Sequence, residues 1–119
     1  MQDPANLLVT AKAEDLAVLT DRITAGFPKQ ELFALTAPMR RAAISIGSNI
    51  SEGCGRASDA ELVKFLHYSL GSARELAFQC RVAARLKLRD PASVADVLDG
   101  TRELERMLSR LIVGLRRPR

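Results

Sequence analysis

Apolar residues recur along the chain at intervals of three and four, which is the period of an amphipathic helix. No long segment shows the apolar–polar alternation of a half-buried strand. The cleanest stripe lies near the C-terminus and consists of Val94, Val97, Leu98, Thr101, Leu104, Leu108, Leu111, Ile112 and Leu115. A less regular stripe near the N-terminus consists of Leu8, Leu16, Leu19 and Ile23. The pattern predicts an all-α protein.

Start and stop signals divide the chain into four predicted helices, over about residues 4–25, 31–52, 59–87 and 91–116. Capping side chains precede three of the apolar runs, in Asp3-Pro4, Ser58-Asp59-Ala60-Glu61 and Asp90-Pro91. Glycine-containing stop signals follow the first and second apolar runs, in Gly26 with Pro28 and in Gly53-Cys54-Gly55. Four amphipathic helices with short connections predict one domain over residues 1–119, an antiparallel up-down four-helix bundle.

Two features predict irregularity in the second helix. Pro38 lies near its start and either moves the true start or kinks the helix. Gly47-Ser48-Asn49 is weak helix-forming sequence, and we expect a local distortion there.

Composition adds a basic, arginine-rich character to this picture. The net charge is +4, and the excess lies after residue 31, where 15 basic residues stand against 9 acidic ones. Such a balance permits an anionic partner without requiring one. The two cysteines do not form a C-x-x-C pair, and we find neither a signal peptide nor an apolar run long enough to span a membrane. We therefore expect a cytoplasmic protein with reduced thiols and no membrane partner.

Several short segments are more specific than this physical pattern. They are Lys12-Ala13, Leu16-Ala17-Val18, Phe27-Pro28-Lys29 with Glu31, Arg40-Arg41-Ala42-Ala43, Ile44-Ser45-Ile46, Ser48-Asn49-Ile50, Glu52-Gly53, Gly55-Arg56, Phe65-Leu66, and Gly71-Ser72 with Glu75-Leu76. In order and spacing they resemble the bacterial four-helix-bundle family whose members are often encoded by intervening sequences within 23S ribosomal RNA genes. Two positions depart from the family pattern: Gly47 stands where proline is usual, and Thr10 where tryptophan is frequent.

The resemblance implies a ring-like homo-oligomer, a pentamer, and it implies no established biochemical activity. Distant relatives of the family include the accessory variability protein of diversity-generating retroelements. That protein is a basic pentameric bundle associated with nucleic acid and a reverse transcriptase. The resemblance therefore favours contact with RNA or DNA, by analogy at the level of the fold.

The family-like polar residues form the first candidate site: Arg40, Arg41, Ser45, Ser48, Asn49, Glu52, Arg56 and Glu75. Residues 41, 45, 48 and 52 share one side of the second helix. One interpretation is a polar contact surface or anion site. The other is a structural network in which Arg40 or Arg41 pairs with Glu52 or Glu75. In both, we expect the stripe to be partly buried, because a second ordered face suggests a subunit interface.

Two basic stripes form the second candidate site. Arg74, Arg81 and Arg85 share a side of the third helix, and Arg102, Arg106 and Arg110 step by four along the fourth, with Arg116 and Arg117 in a basic tail. One interpretation is a surface that follows phosphates. The other is a solvated face neutralised by Asp99, Glu103 and Glu105. Tyr68 and the phenylalanines form no recognisable platform for stacking bases.

We find no sequence pattern for catalysis, a metal or a cofactor. His67 is the only histidine, and it has no ligand-spaced partner. Cys80 falls on an apolar stripe and is predicted to lie in the core, whereas Cys54 lies in a glycine-rich turn where an exposed thiol could react. The leading hypothesis is a non-enzymatic oligomeric bundle that binds nucleic acid, RNA above all. The alternatives are a protein-interaction scaffold with an unknown protein partner, or an enzyme with a pocket near Glu52, Glu75 and His67.

Overall fold

A computed structural model describes residues 3–118, apart from the side chain of Pro4. It has four α-helices, α1 (Pro4–Thr24), α2 (Ala37–Cys54), α3 (Asp59–Arg85) and α4 (Pro91–Arg116), and no strand within the described range. Each helix packs against the next, and α4 returns to α1, in a body of 50 × 19 × 19 Å. The predicted four-helix bundle is confirmed. No described helix combines the length and the apolar character that a membrane crossing requires.

The three predicted N-caps are all present, because each capping oxygen accepts a backbone N–H that has no partner within its helix. Asp3 Oδ1 accepts from Ala5 N at 2.8 Å, and Ser58 Oγ accepts from Glu61 N at 3.2 Å. Asp90 Oδ2 accepts from Ser93 N at 3.0 Å and from the Ser93 hydroxyl at 2.7 Å, and the hydroxyl bond, followed by the backbone bond, lowers the pKa of Asp90.

The start of α2 differs from the prediction. Residues Lys29–Glu31 form a 3₁₀ turn and Leu32–Thr36 a π-helical turn, so the α-helix begins at Ala37 rather than at residue 31. Pro38 lies in the first turn of α2, where backbone N–H groups have no acceptor within the α-helix, so the lack of an N–H on proline breaks no helical hydrogen bond. The proline thus moves the start of the helix, which is one of the two expectations for it.

The distortion predicted at Gly47-Ser48-Asn49 is wrong, because α2 is a continuous α-helix from Ala37 to Cys54. A Cβ at position 47 would lie 3.5 Å from Ala13 Cβ, so the small residue sits where α1 and α2 approach each other. The Asn49 side chain stabilises the helix by donating to Ser45 O at 2.9 Å. Packing and this local bond outweigh the weak intrinsic propensity.

The end of α3 is closed by a Schellman motif. The helix ends at Arg85, two residues before the predicted end, because Lys87 adopts a left-handed conformation with φ of 54°. Lys87 N donates to Ala84 O at 3.1 Å, and Leu88 N donates to Ala83 O at 3.2 Å. These are the two bonds that define the motif.

The core agrees with the predicted stripes except in α1. The buried residues of α4 are Val94, Val97, Thr101, Leu104, Leu108 and Ile112, and Cys80 of α3 is buried as predicted. In α1, however, Leu8 is 54% exposed and its neighbour Val9 is only 1% exposed. The core side of α1 consists of Val9, Ala13, Leu16, Thr20 and Thr24.

Candidate nucleic-acid interface

The basic stripes of α3 and α4 meet at one open groove between these two helices. The groove has a volume of about 500 Å³. Its lining consists of Leu70, Arg74, Arg81, Arg102, Glu105, Arg106, Ser109 and Arg110. Five guanidinium groups and a single carboxylate therefore surround the same space, which gives the groove an excess of positive charge.

Helical spacing explains why the arginines point into this groove. On α3, Arg74 and Arg81 each follow a buried residue, Leu70 and Ala77, by four positions, so they emerge beside the core-facing stripe. On α4 the three arginines recur every fourth residue, which keeps them on one side for more than two turns. The two stripes border the same helix–helix contact and thus face one another.

No ion pair neutralises these five arginines within the range that the structure describes. Its ion pairs lie elsewhere and join Lys12 to Glu103, Arg40 to Asp21, Arg56 to Glu52, and Arg89 to Asp90. Glu103, one of the residues expected to neutralise the stripe, lies 3.2 Å from Lys12 Nζ of α1 instead. Glu105 lines the groove without an ion pair.

A smaller depression continues the groove towards the end of α4. It has a volume of about 370 Å³ and is lined by Ser109, Arg110, Val113, Gly114 and Arg117. At about 1.5 Å per residue, the basic positions from Arg102 to Arg117 extend over roughly 22 Å. Arg85 and Arg116 are exposed but lie outside both linings.

Guanidinium groups bind phosphate and carboxylate oxygens through two parallel N–H donors. An open groove with several unpaired guanidiniums suits an extended polyanion better than a small enclosed ligand. The arrangement can thus hold a series of anionic groups along α4 while Arg74 and Arg81 contact them from α3.

The model of the 23S rRNA-intervening sequence protein family matches residues 5–110 of the chain, which include α2, α3, α1 from its second residue, α4 as far as Arg110, and the whole lining of the α3–α4 groove. The chain belongs to this family. The resemblance carried by the segments between Lys12 and Leu76 is thereby confirmed. No curated protein has a sequence that matches the chain.

A solved structure shares the fold of this 23S rRNA-intervening sequence protein. It is the 1.70 Å crystal structure of a protein of unknown function from the S23 ribosomal protein family of Bacteroides thetaiotaomicron VPI-5482. The TM-score is 0.84 and the sequence identity 20%, and the match covers 92% of this chain and 98% of that one. At this identity the likeness establishes the fold alone.

Within the family-like polar set, Arg40 binds α1. Its Nε donates to Thr24 Oγ1 at 2.9 Å and lies 3.2 Å from the Asp21 carboxylate, and its Nη2 donates to Asp21 O at 3.1 Å. Glu52 pairs with Arg56. The expected pairing of Arg40 or Arg41 with Glu52 or Glu75 is therefore not observed. Arg40 pairs with Asp21 of α1 instead, and Glu52 pairs with Arg56 in the turn after α2.

Ser45 is the member of this set that joins α2 to α3, since Ser45 Oγ and Ser72 Oγ are 2.8 Å apart, and within α2 Asn49 Nδ2 donates to Ser45 Oγ at 3.1 Å. Close by, the buried Ser69 of α3 donates to Ile46 O of α2 at 2.7 Å. These bonds satisfy polar groups between two packed helices, as a structural network does.

The remaining members lie on the surface of the single chain. Arg41, Ser48, Glu52 and Glu75 are exposed, in contrast to the partial burial expected for the whole stripe, whereas Ser45 and Asn49 are half-buried. Ser48 and Glu52 line a groove of about 470 Å³ between α1 and α2 together with Ala17 and Ile44. Arg56 lies 4.8 Å from the centre of the Phe65 ring and so connects the end of α2 to the start of α3.

The thiols and the histidine do not form a reactive group. Both cysteines are free, as expected. Burial raises the pKa of Cys54, and it raises that of Cys80 to about 12, so both remain protonated at neutral pH. His67 is exposed on α3, and residues 3–118 contain no cluster of three or more acidic, histidine or cysteine side chains arranged to hold a metal ion.

Two features at or beside the groove were not predicted from the sequence. Glu105 lines the groove, although the pattern grouped it with the residues of a solvated face. Phe78 is 59% exposed between Arg74 and Arg81 on α3, and its four-residue spacing from Arg74 is the signal that could have revealed it.

Proposed function

We propose that this protein is a non-enzymatic homo-oligomer that binds nucleic acid, RNA above all, through the α3–α4 groove. The observation that carries the proposal is the meeting of five arginines without ion pairs at one groove that holds a single carboxylate. Binding neutralises backbone phosphates and releases their counterions, so it depends strongly on salt and weakly on sequence. The free thiols fit a reducing compartment, so we expect this contact in the cytoplasm.

Assembly into a homo-oligomer would strengthen such binding, because several grooves would engage one polyanion at once. The face between α1 and α2 supports a subunit contact there. Val18 and Ile44 are 50% and 59% exposed and line one depression of about 290 Å³ with Ala17. That depression adjoins the α1–α2 groove that Ala17 and Ile44 also line.

Charge reversal on α4 tests the binding surface. We expect the Arg102→Glu, Arg106→Glu, Arg110→Glu triple variant to lose binding to a labelled RNA in fluorescence anisotropy while its helix content, measured by circular dichroism, stays unchanged. The matched control reverses three exposed cations outside the groove, Lys29→Glu, Arg41→Glu and Lys64→Glu, with the same change in net charge. Equal losses in both variants would show that net charge, not the groove, drives binding.

Size-exclusion chromatography with light scattering tests the assembly. A pentamer of 13.0 kDa chains has a mass of about 65 kDa, or five times the chain mass. Because the chain has no tryptophan and one tyrosine, bound nucleic acid would dominate the absorbance at 260 nm. We expect nuclease-sensitive material in the oligomer peak that dissociates at high salt. The Val18→Asp, Ile44→Asp variant should elute as a smaller species, and an unchanged mass would remove the α1–α2 face as the contact.

A protein-interaction scaffold is the second candidate, and one observation favours it. Phe33 is 85% exposed and its neighbour Leu32 is 47% exposed, both in the π-helical turn before α2. Exposed apolar residues of this kind suit a protein partner when they belong to a larger patch. A clean oligomer without excess absorbance at 260 nm, even at low salt, would favour the scaffold over nucleic-acid binding.

A further inference from the structure

Phe78 lies beside Arg74 on α3, outside the lining of the arginine groove. On a helix of about 100° per residue, Phe78 stands about 40° from Arg74 and about 60° from Arg81, on the side of Arg74 away from Leu70. Its side chain is 59% exposed. An apolar ring is thus presented to solvent one turn from two guanidinium groups that face the groove.

The ring of Phe78 differs from the other two aromatic rings of α3. Phe65 and Tyr68 pack edge to face with centroids 5.6 Å apart, and Arg56 and Lys64 lie over them at 4.8 and 6.0 Å. Within residues 3–118, Phe78 takes part in no such ring or cation contact. With 59% of its side chain exposed, the ring is accessible to a planar group of a ligand.

We propose that Phe78 stacks on an unpaired base of a bound RNA while Arg74 and Arg81 bind the phosphates on either side of that nucleotide. This inference rests on the proposed function and deepens it by naming the class of nucleic acid. Aromatic rings bind bases by stacking without regard to sequence, and neighbouring cations follow the backbone. Helical positions three and four apart have Cβ atoms about 5–6 Å from each other, so ring and cations reach groups of one nucleotide and its neighbours.

Stacking on a protein ring requires a base that has left its own helix. Paired bases in an A-form duplex are stacked on each other, and side chains there contact mainly backbone and 2′-hydroxyl groups. The proposed partner is therefore a single-stranded segment or a loop, and a perfect duplex is the weaker ligand. The five arginines act on both forms, whereas Phe78 contributes only to the single-stranded one.

Affinity measurements on two RNAs test this inference. The probes are an oligouridylate of about 12 nucleotides, within the usual site sizes of single-strand binders, and a perfect RNA duplex of the same length. We expect Phe78→Ala to weaken oligouridylate binding by about 5- to 150-fold, the range that loss of one stacked base gives, and to leave duplex binding within about twofold. The matched control is Phe33→Ala, which removes a ring that is 85% exposed far along the chain from the groove.

A tryptophan at position 78 reports stacking directly, because the natural chain has none. We expect oligouridylate to quench the fluorescence of Phe78→Trp and the duplex to leave it unchanged. The tryptophan of Phe33→Trp should respond to neither RNA. Quenching of both tryptophans to the same extent would contradict a specific stack at Phe78.

The failure of this inference is distinguishable from failure of the proposed function. If the Arg102→Glu, Arg106→Glu, Arg110→Glu variant loses RNA binding but Phe78→Ala keeps it, the groove stands and the stacking role is wrong. If Phe78→Ala changes the oligomer mass in light scattering and leaves RNA affinity intact, Phe78 is a protein contact and the inference is overturned. If the natural protein binds neither RNA, the proposed function fails, and the inference fails with it.

Discussion

The junction between the end of α1 and the start of α4 offers a sharp test of the packing, because the Arg89 side chain fills the space that a side chain on residue 26 would need. The Arg89 side chain crosses over Gly26 and donates from Nη1 to Ile23 O at 2.8 Å, near the C-terminus of α1. A Cβ on residue 26 would lie 2.6 Å from Arg89 Nη1 and 2.7 Å from its Cζ. Gly26→Ala must therefore displace the guanidinium from the carbonyl that it caps.

Two opposing contributions determine the size of this effect. A hydrogen bond from a charged group contributes about 1.5–3 kcal/mol, and the partial exposure of Arg89 places this one towards the lower value. Replacing glycine by alanine where φ is negative stabilises by about 0.4–1 kcal/mol through the unfolded chain. We expect Gly26→Ala to lower the free energy of unfolding by about 1 kcal/mol, which for a chain of this length corresponds to a fall in Tm of roughly 3–5 °C.

A double-mutant cycle separates the two contributions. In an Arg89→Ala background the guanidinium is absent, so Gly26→Ala should then raise the free energy of unfolding by about 0.4–1 kcal/mol. Urea denaturation of the natural protein, the two single variants and the double variant, all at the same protein concentration, gives the free energy of unfolding at each corner of the cycle. The same sign of the Gly26→Ala effect in both backgrounds would refute the reasoning, since it would mean that Arg89 does not cap α1 over Gly26.

Three further predictions concern single residues. Lys87→Gly should raise the free energy of unfolding by about 0.5–1 kcal/mol in urea denaturation, because a side chain is strained in the left-handed conformation that Lys87 adopts. The greater conformational entropy of glycine in the unfolded chain offsets only part of this stabilisation. A destabilised variant would contradict the left-handed conformation of residue 87. Gln79→Met should be neutral or stabilising by about 1 kcal/mol, because Gln79 is 8% exposed and its Oε1 has no hydrogen-bond donor within residues 3–118; a clear loss of stability in the same assay would reveal a partner for that oxygen. The pKa of Asp90 is lowered in the folded state, so its carboxylate stabilises the protein above the ordinary carboxyl pKa near 4, and this contribution is lost as the pH falls through the folded pKa. Asp90→Asn should therefore flatten the acid side of the Tm–pH profile, and an unchanged profile would exclude this carboxylate as a contributor.

The sequence predicts α4 and the caps well because the responsible interactions are local. The buried positions of α4 repeat at three and four, and the oxygens of Asp3, Ser58 and Asp90 bind N–H groups two or three residues away. Both features can therefore be recognised from residues that are close together in the sequence.

The errors in α1 and α2 have a tertiary or backbone origin. Thr20 and Thr24 lie in the core at 0% and 1% exposure because their hydroxyls donate to Leu16 O and Thr20 O within the helix, so residues that appear polar are buried. The π-helical turn Leu32–Thr36 continues the apolar pattern of a helix, and the pattern does not distinguish the two.

The candidate site was predictable in its parts but not in its assembly. Each arginine stripe follows from spacing along one helix. Their meeting at one groove depends on how α3 is rotated against α4, which is a property of the packing between the two helices and not of either sequence pattern alone. The Arg40–Asp21 pair could not be predicted either, because it joins two helices across the irregular connection between them.

The salt dependence of RNA binding tests the central claim most directly. Each neutralised phosphate contributes about −0.7 to −0.9 to the slope of log K against log salt, so five engaged arginines give roughly −3.5 to −4.5 per protomer. We predict that Arg106→Ala makes this slope shallower by about 0.7–0.9 per protomer, while Arg41→Ala leaves it unchanged. Binding that does not respond to salt, or a slope that Arg106→Ala and Arg41→Ala alter equally, would contradict recognition of nucleic acid by the α3–α4 groove.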